Sequence, residues 1–381
     1  MIEFGWQPIV LTVSPDYYEE TLDWDLVDTV KEHVIVEHSR AFKAPGKLRI
    51  IGDIGLRSFP FIWKKAKEII RKRQIDAVWI PVPNYYMMVM GRLLYLKFKI
   101  PYGIDYIDPW TDGIPGAGKI FTRAWISNKI ARFLEPFALK EAAFISGVSS
   151  SYYQYVFQNR WVKTDLPNVG MPYGFDPDDE MQSKPAKLPW DTNKKTYLYA
   201  GAFLPKSLYF LEKLFEALKD LNDPQIQVVF LGTGPYPGES ITSVAHRYGL
   251  HRNVIEVRDR FPFLNILYFL KKADFCLLLG STEAHYTASK TFQMLLSGKP
   301  VFSILHVESS AAQFLKEVTA DQFLVEWDEK MEDKKLLKNI KEVIRSIRNG
   351  ETSWKPDLLK MENFSARSSA NKLAEILDGT T

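Results

Sequence analysis

Between Val254 and Val301 the chain alternates short apolar runs with helix-like periods, and each strand hands over to its helix through a cluster of polar residues. Val254 to Val257 reads as a strand, Arg258 to Pro262 as a charged and aromatic loop, and Phe263 to Lys271 as a helix. Asp274 to Leu279 reads as the next strand, followed by a polar loop, a helix opened by Thr287, Ala288, Ser289 and Lys290, and Gly298-Lys299-Pro300 ahead of another strand. Two βα units in succession argue for a parallel sheet covered by helices. They set the polar loops at its carboxyl edge, where such sheets bind ligands.

The second of these helix starts carries the sharper expectation. Ser289 is suited to cap unpaired backbone N–H groups, Thr287 and Ala288 are small enough to admit an anion, and Lys290 adds a full positive charge beside the helix dipole. That combination suits a diphosphate. An ordinary Ser-capped helix with a solvated lysine fits the same four residues.

The alternation extends over the whole chain, and 381 residues exceed what one ordinary core organises. The expected fold class is α/β, with two Rossmann-like doubly wound domains. The first spans 1–170, a Gly/Pro/Asn-rich linker covers 171–195, the second domain spans 196–362, and a last helix over 363–381 packs back toward the first domain. In the first domain a strand is expected over Gln7 to Val13, a loop over Ser39 to Ser58, and helices over Phe59 to Arg73 and Thr122 to Lys140. The first strand comes unusually early, and Glu3-Phe4-Gly5 reads as a helix end, so an opening βα unit is expected to be missing.

A net charge of +3 is too small to argue for nucleic acid. The single cysteine, Cys276, lies in an apolar run, which excludes an internal disulfide and points to a reducing, cytoplasmic setting. No apolar run reaches the ~18 residues that span a bilayer, so the chain is expected to be soluble or bound to a membrane surface at its inner face. Trp63 to Lys67, Arg71-Lys72-Arg73, and Arg92 with Lys97 and Lys99 form basic, aromatic-bearing helices that suit either anionic lipid or plain solvent. The six histidines form no HExxH pattern, so no protein-held metal or cofactor is expected.

Gly232-Thr233-Gly234 with Glu256 imitates a dinucleotide fingerprint. The third glycine falls one place late, at Gly238, and Pro235 and Pro237 keep a helix from starting tightly, so a plain βα turn is the better reading. Gly201, Ala202 and Phe203 follow the second domain's first strand, where a glycine admits a ligand close to the backbone, and Lys206 opens the next helix with an ammonium suited to phosphate. His285 falls in the central loop. Asp105, Asp108, Trp110 and Asp112 crowd a strand end of the first domain, where carboxylates and an indole suit hydroxyl-rich ligands; Asp108 is a candidate base, and an Asp-rich turn is the plain alternative.

Taken in order, several segments resemble glycosyltransferases of the GT-B fold, and within them the retaining family 4 enzymes. They are Tyr173-Gly174-Phe175-Asp176, Tyr199-Ala200-Gly201, Phe230 to Pro235, Arg260-Phe261-Pro262, Lys290 to Val301, and Asp105 to Trp110. The resemblance implies that the second domain holds a nucleoside-diphosphate sugar. Arg258, Arg260 and Phe261 would border the base and Gln293 would face the ribose. Lys206 with residues 287–290 would hold the diphosphate, near Gly201, Ala202, Phe203, Gly232, Gly234 and His285. Asp105, Trp110 and Asp112 would lie on the side of a glycan or lipid-linked acceptor. Transfer would proceed without a metal, with Lys206, Lys290 and Asp108 as the catalytic set. A GT-B-like sugar-nucleotide epimerase and a non-catalytic sugar-nucleotide-binding partner are the alternatives.

Overall fold

The computed structural model describes the chain except residues 20–21, 31–33, 44–52, 112–119, 173, 284–289, 351–352 and 381. It divides into two compact units, Met1–Tyr173 with Ala366–Thr381, and Gly174–Ser365.

In the first unit β1 (Ile9–Val13) and β2 (Ile35–Ser39) pair in parallel, in register from Ile9 and Ile35. A separate parallel sheet runs β3 (Val78–Val82), β4 (Tyr102–Tyr106), β5 (Phe144–Gly147) and β6 (Asn168–Gly170), in that spatial order. The single sheet expected for this domain is therefore two sheets among the described residues. Both strands of the β1–β2 pair alternate in exposure, with Val10 and Val36 open to solvent, as in a sheet covered mainly on one face. Central β4, by contrast, is buried at every position. Its period of two sends Tyr102, Ile104 and Tyr106 to one face, against Ala131, Ala138 and Leu139 of the helix Arg123–Leu139. Across the sheet, Phe144 and Met171 pack on Leu373 and Leu377 of the last helix, Ala366–Asp378.

Two first-domain boundaries follow from capping. The Asp53 carboxylate accepts the Leu56 N–H at 2.8 Å, which starts the helix Ile54–Lys72 inside the stretch expected to be loop. Thr122 caps Arg123–Leu139 in the same way, accepting from the Trp125 N–H at 3.1 Å.

The second unit holds one parallel sheet: β7 (Lys195–Ala200), β8 (Ile226–Leu231), β9 (Val254–Val257), β10 (Phe275–Leu279), β11 (Val301–His306) and β12 (Leu324–Trp327). Its spatial order is β12-β11-β10-β7-β8-β9, so the winding reverses between β7 and β10. Alternate residues again feed two cores: Val228 and Phe230 with Leu277 and Leu279 on one face, Val229 and Leu231 with Cys276 and Leu278 on the other. Burial pushes the Cys276 thiol up to about 12, so it is an inert core residue. Residues 174–195, expected to be linker, pack on this unit instead. Phe175 and Trp190 enter its core, and Lys184 exchanges hydrogen bonds with Leu264 and Asn265. Their apolar side chains, spaced among prolines, gave no period to read.

Candidate functional site

In an open doubly wound sheet the helices on either side of the reversal leave a crevice at the carboxyl ends of the two strands that flank it. Here those ends are Ala200 and Leu279, and the two loops that follow approach one another. β7 runs into Gly201, whose φ of +123° lies in the region L side chains avoid. A Cβ there would stand 3.7 Å from the Lys290 Nζ, which comes from the far end of the loop after β10. That ammonium lies 3.5 Å from the centre of the Tyr199 ring and has no hydrogen-bond partner among the described residues. Burial lowers its pKa to about 7.

The helix behind this loop runs Thr291–Leu296, with Lys290 at its N-cap position and no side-chain cap. The start expected at 287 lies outside the described residues. Thr287, Ala288, Ser289 and His285 lie outside the described residues. Gln293 sits half-buried in this helix. Lys206 lies in the 3-10 turn Pro205–Ser207, ahead of the helix Leu208–Leu221 that it was expected to open. Its Nζ pairs with the Glu283 carboxylate, both side chains being partly exposed. One buried ammonium with no counter-charge among the described residues and one exposed ion pair thus link the loops after β7 and β10. Glu283 is a residue that spacing did not single out, because its role depends on the fold bringing it to Lys206.

The rest of the rim is held by hydrogen bonds. Phe203 N–H donates to the Thr233 carbonyl at 3.1 Å, Gly232 N–H to Val257 at 2.8 Å and Gly234 N–H to Arg258 at 3.0 Å. Gly232 and Gly234 take φ of +69° and +66°, as the tight turn after β8 requires. Glu256 accepts from Tyr236 at 2.6 Å, and from Thr233 and Thr242 at 3.1 Å each. Burial opposes its charge, yet these bonds outweigh it and hold the carboxyl below its usual range. Its lone pairs are committed to the loop, so Glu256 acts as a strut and the turn is the plain βα turn expected. Ala202, Arg258 and Arg260 are exposed; the Arg258 guanidinium lies over the Tyr236 ring at 4.5 Å, and Phe261 stands edge-on to Phe269. The Phe203 side chain turns away into the core beside Tyr199 and Tyr236, so only its backbone belongs to the rim.

The carboxylate cluster of the first unit divides. Asp108 is exposed, and Asp112 lies outside the described residues. Trp110 is buried, its ring stacked on Tyr85 at 5.4 Å and its backbone N–H donating to the Tyr155 hydroxyl, so it is a core residue and offers no indole face to a ligand. Its apolar bulk, next to a β4 buried on both sides, won over its place in a polar turn. Asp105 is buried on β4 and accepts from the Ser146 hydroxyl at 2.7 Å; Trp79 donates to the same hydroxyl at 3.0 Å. Burial raises the Asp105 carboxyl to about 6, against the single bond from Ser146. An acid raised in the folded state holds its proton longer there than in the unfolded chain, so stability falls as pH rises from about 4 to about 6. Asp105→Asn is expected to remove the Asp105 share of that fall and to raise stability at pH 7 by about 1–2 kcal/mol, read by urea unfolding across pH. An unaltered pH profile would contradict the burial argument.

The fold is shared with solved glycosyltransferases. Sucrose-phosphate synthase from Thermosynechococcus elongatus superposes with a TM-score of 0.66 at 16% identity, over 99% of this chain and 90% of that one. HepE from Anabaena, solved with UDP-glucose, gives a TM-score of 0.63 at 15% identity over 98% and 99% of the two chains. A glycosyltransferase from Rickettsia africae gives 0.59 at 13% identity, over 100% and 91%. No family model and no curated protein sequence matches the chain. The likeness establishes the GT-B architecture of two Rossmann-like domains.

Proposed function

We propose that the chain is a glycosyltransferase that transfers a sugar from a nucleoside-diphosphate sugar to a glycan or lipid-linked acceptor. The observation that carries the reading is the Lys290 ammonium, buried between Tyr199 and Gly201 at the reversal of the second sheet with no counter-charge among the described residues. A buried cation without an anion is unfavourable by itself, and a diphosphate seated at Gly201 would supply the missing charge. The neighbours add the nucleotide class, since HepE was solved with UDP-glucose.

In this reading the diphosphate lies against the Gly201 backbone and Lys290, and Lys206 exchanges Glu283 for phosphate oxygen. Arg258, Arg260 and Phe261 border the base, and Gln293 faces the ribose. As the glycosidic bond to the diphosphate breaks, negative charge grows on the leaving oxygen. Two ammonium groups fixed beside it stabilise that state more than the ground state, which is the requirement for catalysis, and they fill the role a metal would otherwise take. Retention of the anomeric configuration belongs to the same proposal, with Asp108 on the acceptor side.

The test is a calorimetric titration with UDP, GDP, TDP and ADP and their glucose conjugates, followed by measurement of donor consumption with candidate glycan and lipid-linked acceptors. Binding of one nucleotide family with release of free diphosphate nucleotide is expected. Binding without turnover under every acceptor would support a non-catalytic partner, and absence of binding would remove the reading.

A further inference from the structure

The helix Arg123–Leu139 has two apolar faces, and the fold uses only one. Ala131, Glu135 and Ala138 face the sheet and are fully buried. On the opposite side Ile126, Ile130, Phe133 and Phe137 recur at spacings of four, three and four, so at 100° per residue they fall within about 60° of one another. Ile126 is 50% exposed, Ile130 42%, Phe133 76% and Phe137 38%. Just ahead of the helix Phe121 is 87% exposed and takes a φ of +62°. A bulky residue is seldom held in that region, and here the conformation sets its ring beside Trp125, at 5.7 Å, on the same helix. An apolar stripe this continuous on a soluble surface marks a contact.

Charge decides what it contacts. Lys129 and Arg132 are exposed along one flank of the stripe; beyond the helix end Lys140 is followed by Glu141, whose carboxylate is paired with Arg92. The helix carries one carboxylate, Glu135, and it is fully buried, bonded to the Tyr106 and Tyr155 hydroxyls. Its outer surface therefore presents hydrocarbon and positive charge with no negative charge. Against a second copy of the same stripe, Lys129 and Arg132 would face their own counterparts without an acid to neutralise them. A membrane surface supplies both halves of the complement, acyl chain for the rings and anionic headgroup for the cations. No helix among the described residues is long and apolar enough to cross a bilayer, so contact at the interface plane is the geometry that fits.

We propose that the outer face of the Arg123–Leu139 helix, with Phe121, seats the first unit on an anionic lipid surface. This differs from the basic helices singled out by sequence. There Lys65 is paired with Glu37, Lys72 with Glu68 and Arg92 is buried against Glu141, so the free cations are fewer than the composition suggests. The inference is independent of the transferase reading, because it concerns binding and not turnover.

Flotation of the full chain with phosphatidylcholine vesicles, with and without roughly a third of phosphatidylglycerol, tests it. Wild type is expected to float with the anionic vesicles and to stay behind with the neutral ones. Ile130→Ser with Phe133→Ser is expected to weaken partitioning at least about tenfold, from the apolar surface withdrawn, with an unchanged circular dichroism spectrum. Lys129→Glu with Arg132→Glu, which leaves the stripe intact, should reduce it by a similar factor and flatten its salt dependence. The proposal is overturned if wild type does not float with anionic vesicles, floats equally with neutral ones, or floats unchanged in both double variants. It is also overturned if wild type is a dimer that Ile130→Ser with Phe133→Ser converts to monomer.

Discussion

Lys290→Met is expected to make the free protein more stable and the nucleotide-bound protein weaker, two effects of one substitution with opposite signs. The ammonium is buried over Tyr199 with no partner among the described residues, and burial has lowered its pKa from 10.5 to about 7. For a base whose folded pKa is depressed, the folded protein binds fewer protons than the unfolded chain between those two values, so stability rises with pH across that window. Below pH 7 the full unfavourable contribution is present. Met keeps the length of the side chain and removes the charge. The variant should therefore gain about 2 kcal/mol at pH 7, a gain that shrinks as pH approaches 10.5. In the same protein UDP affinity should fall roughly ten- to a hundredfold, the scale of a charge-assisted hydrogen bond. At pH 8 wild type should take up a fraction of a proton, up to roughly one, as nucleotide binds, because the diphosphate restores the lysine to its charged form. Urea unfolding, and calorimetry in two buffers of different ionisation heat, read all three. Equal stability and equal affinity in the variant would show that Lys290 is a core lysine with no part in a site.

What made Lys290 visible in sequence was its place between a strand and a glycine-ended helix, in a segment whose period is strong. What remained hidden was its environment. The ammonium is buried because β7 and β10 are neighbours, although Gly201 and Lys290 are far apart in the chain, and pattern reading reports local order without saying which strands meet. The same limit explains Glu283, whose pairing with Lys206 depends on that adjacency. The burial of the Trp110 and Phe203 side chains has a different origin. Both follow strands at the carboxyl edge, where ligand contacts are expected, and both side chains turn back to fill the core. A residue's position in a loop fixes its backbone more than the direction of its side chain. At Asp53 the signal for a helix start was present, a carboxylate three residues ahead of the N–H it accepts, but Gly52 and Gly55 on either side of it read as loop.

In the first unit the largest expected effect is at Glu135. Its Oε1 accepts from the Tyr106 hydroxyl at 2.7 Å and also from Tyr155, all three groups being buried. Burial raises the carboxyl pKa, partly offset by the bonds from Tyr155 and Tyr106. Glu135→Leu would keep the volume and strand two tyrosine hydroxyls without an acceptor. Leaving a buried donor unpaired costs about 1–3 kcal/mol, so the loss should be about 3 kcal/mol or more for the pair. Glu135→Gln retains an amide oxygen for the same hydroxyls and should stay within about 1 kcal/mol of wild type. The pH dependence separates the two contributions. An acid raised on folding makes stability fall as pH climbs through its unfolded and then its folded pKa, so wild type should lose stability on going from acid toward neutral and Glu135→Gln should lose less, keeping the part of the fall that Asp105 contributes. If Glu135→Leu proves as stable as wild type, the tyrosines must have found other acceptors and the network does not hold the helix. If it is destabilised while UDP binding to the second unit persists, the two units fold with separate cores. The helix that bears the exposed stripe then owes its position to one buried carboxyl group on its inner face.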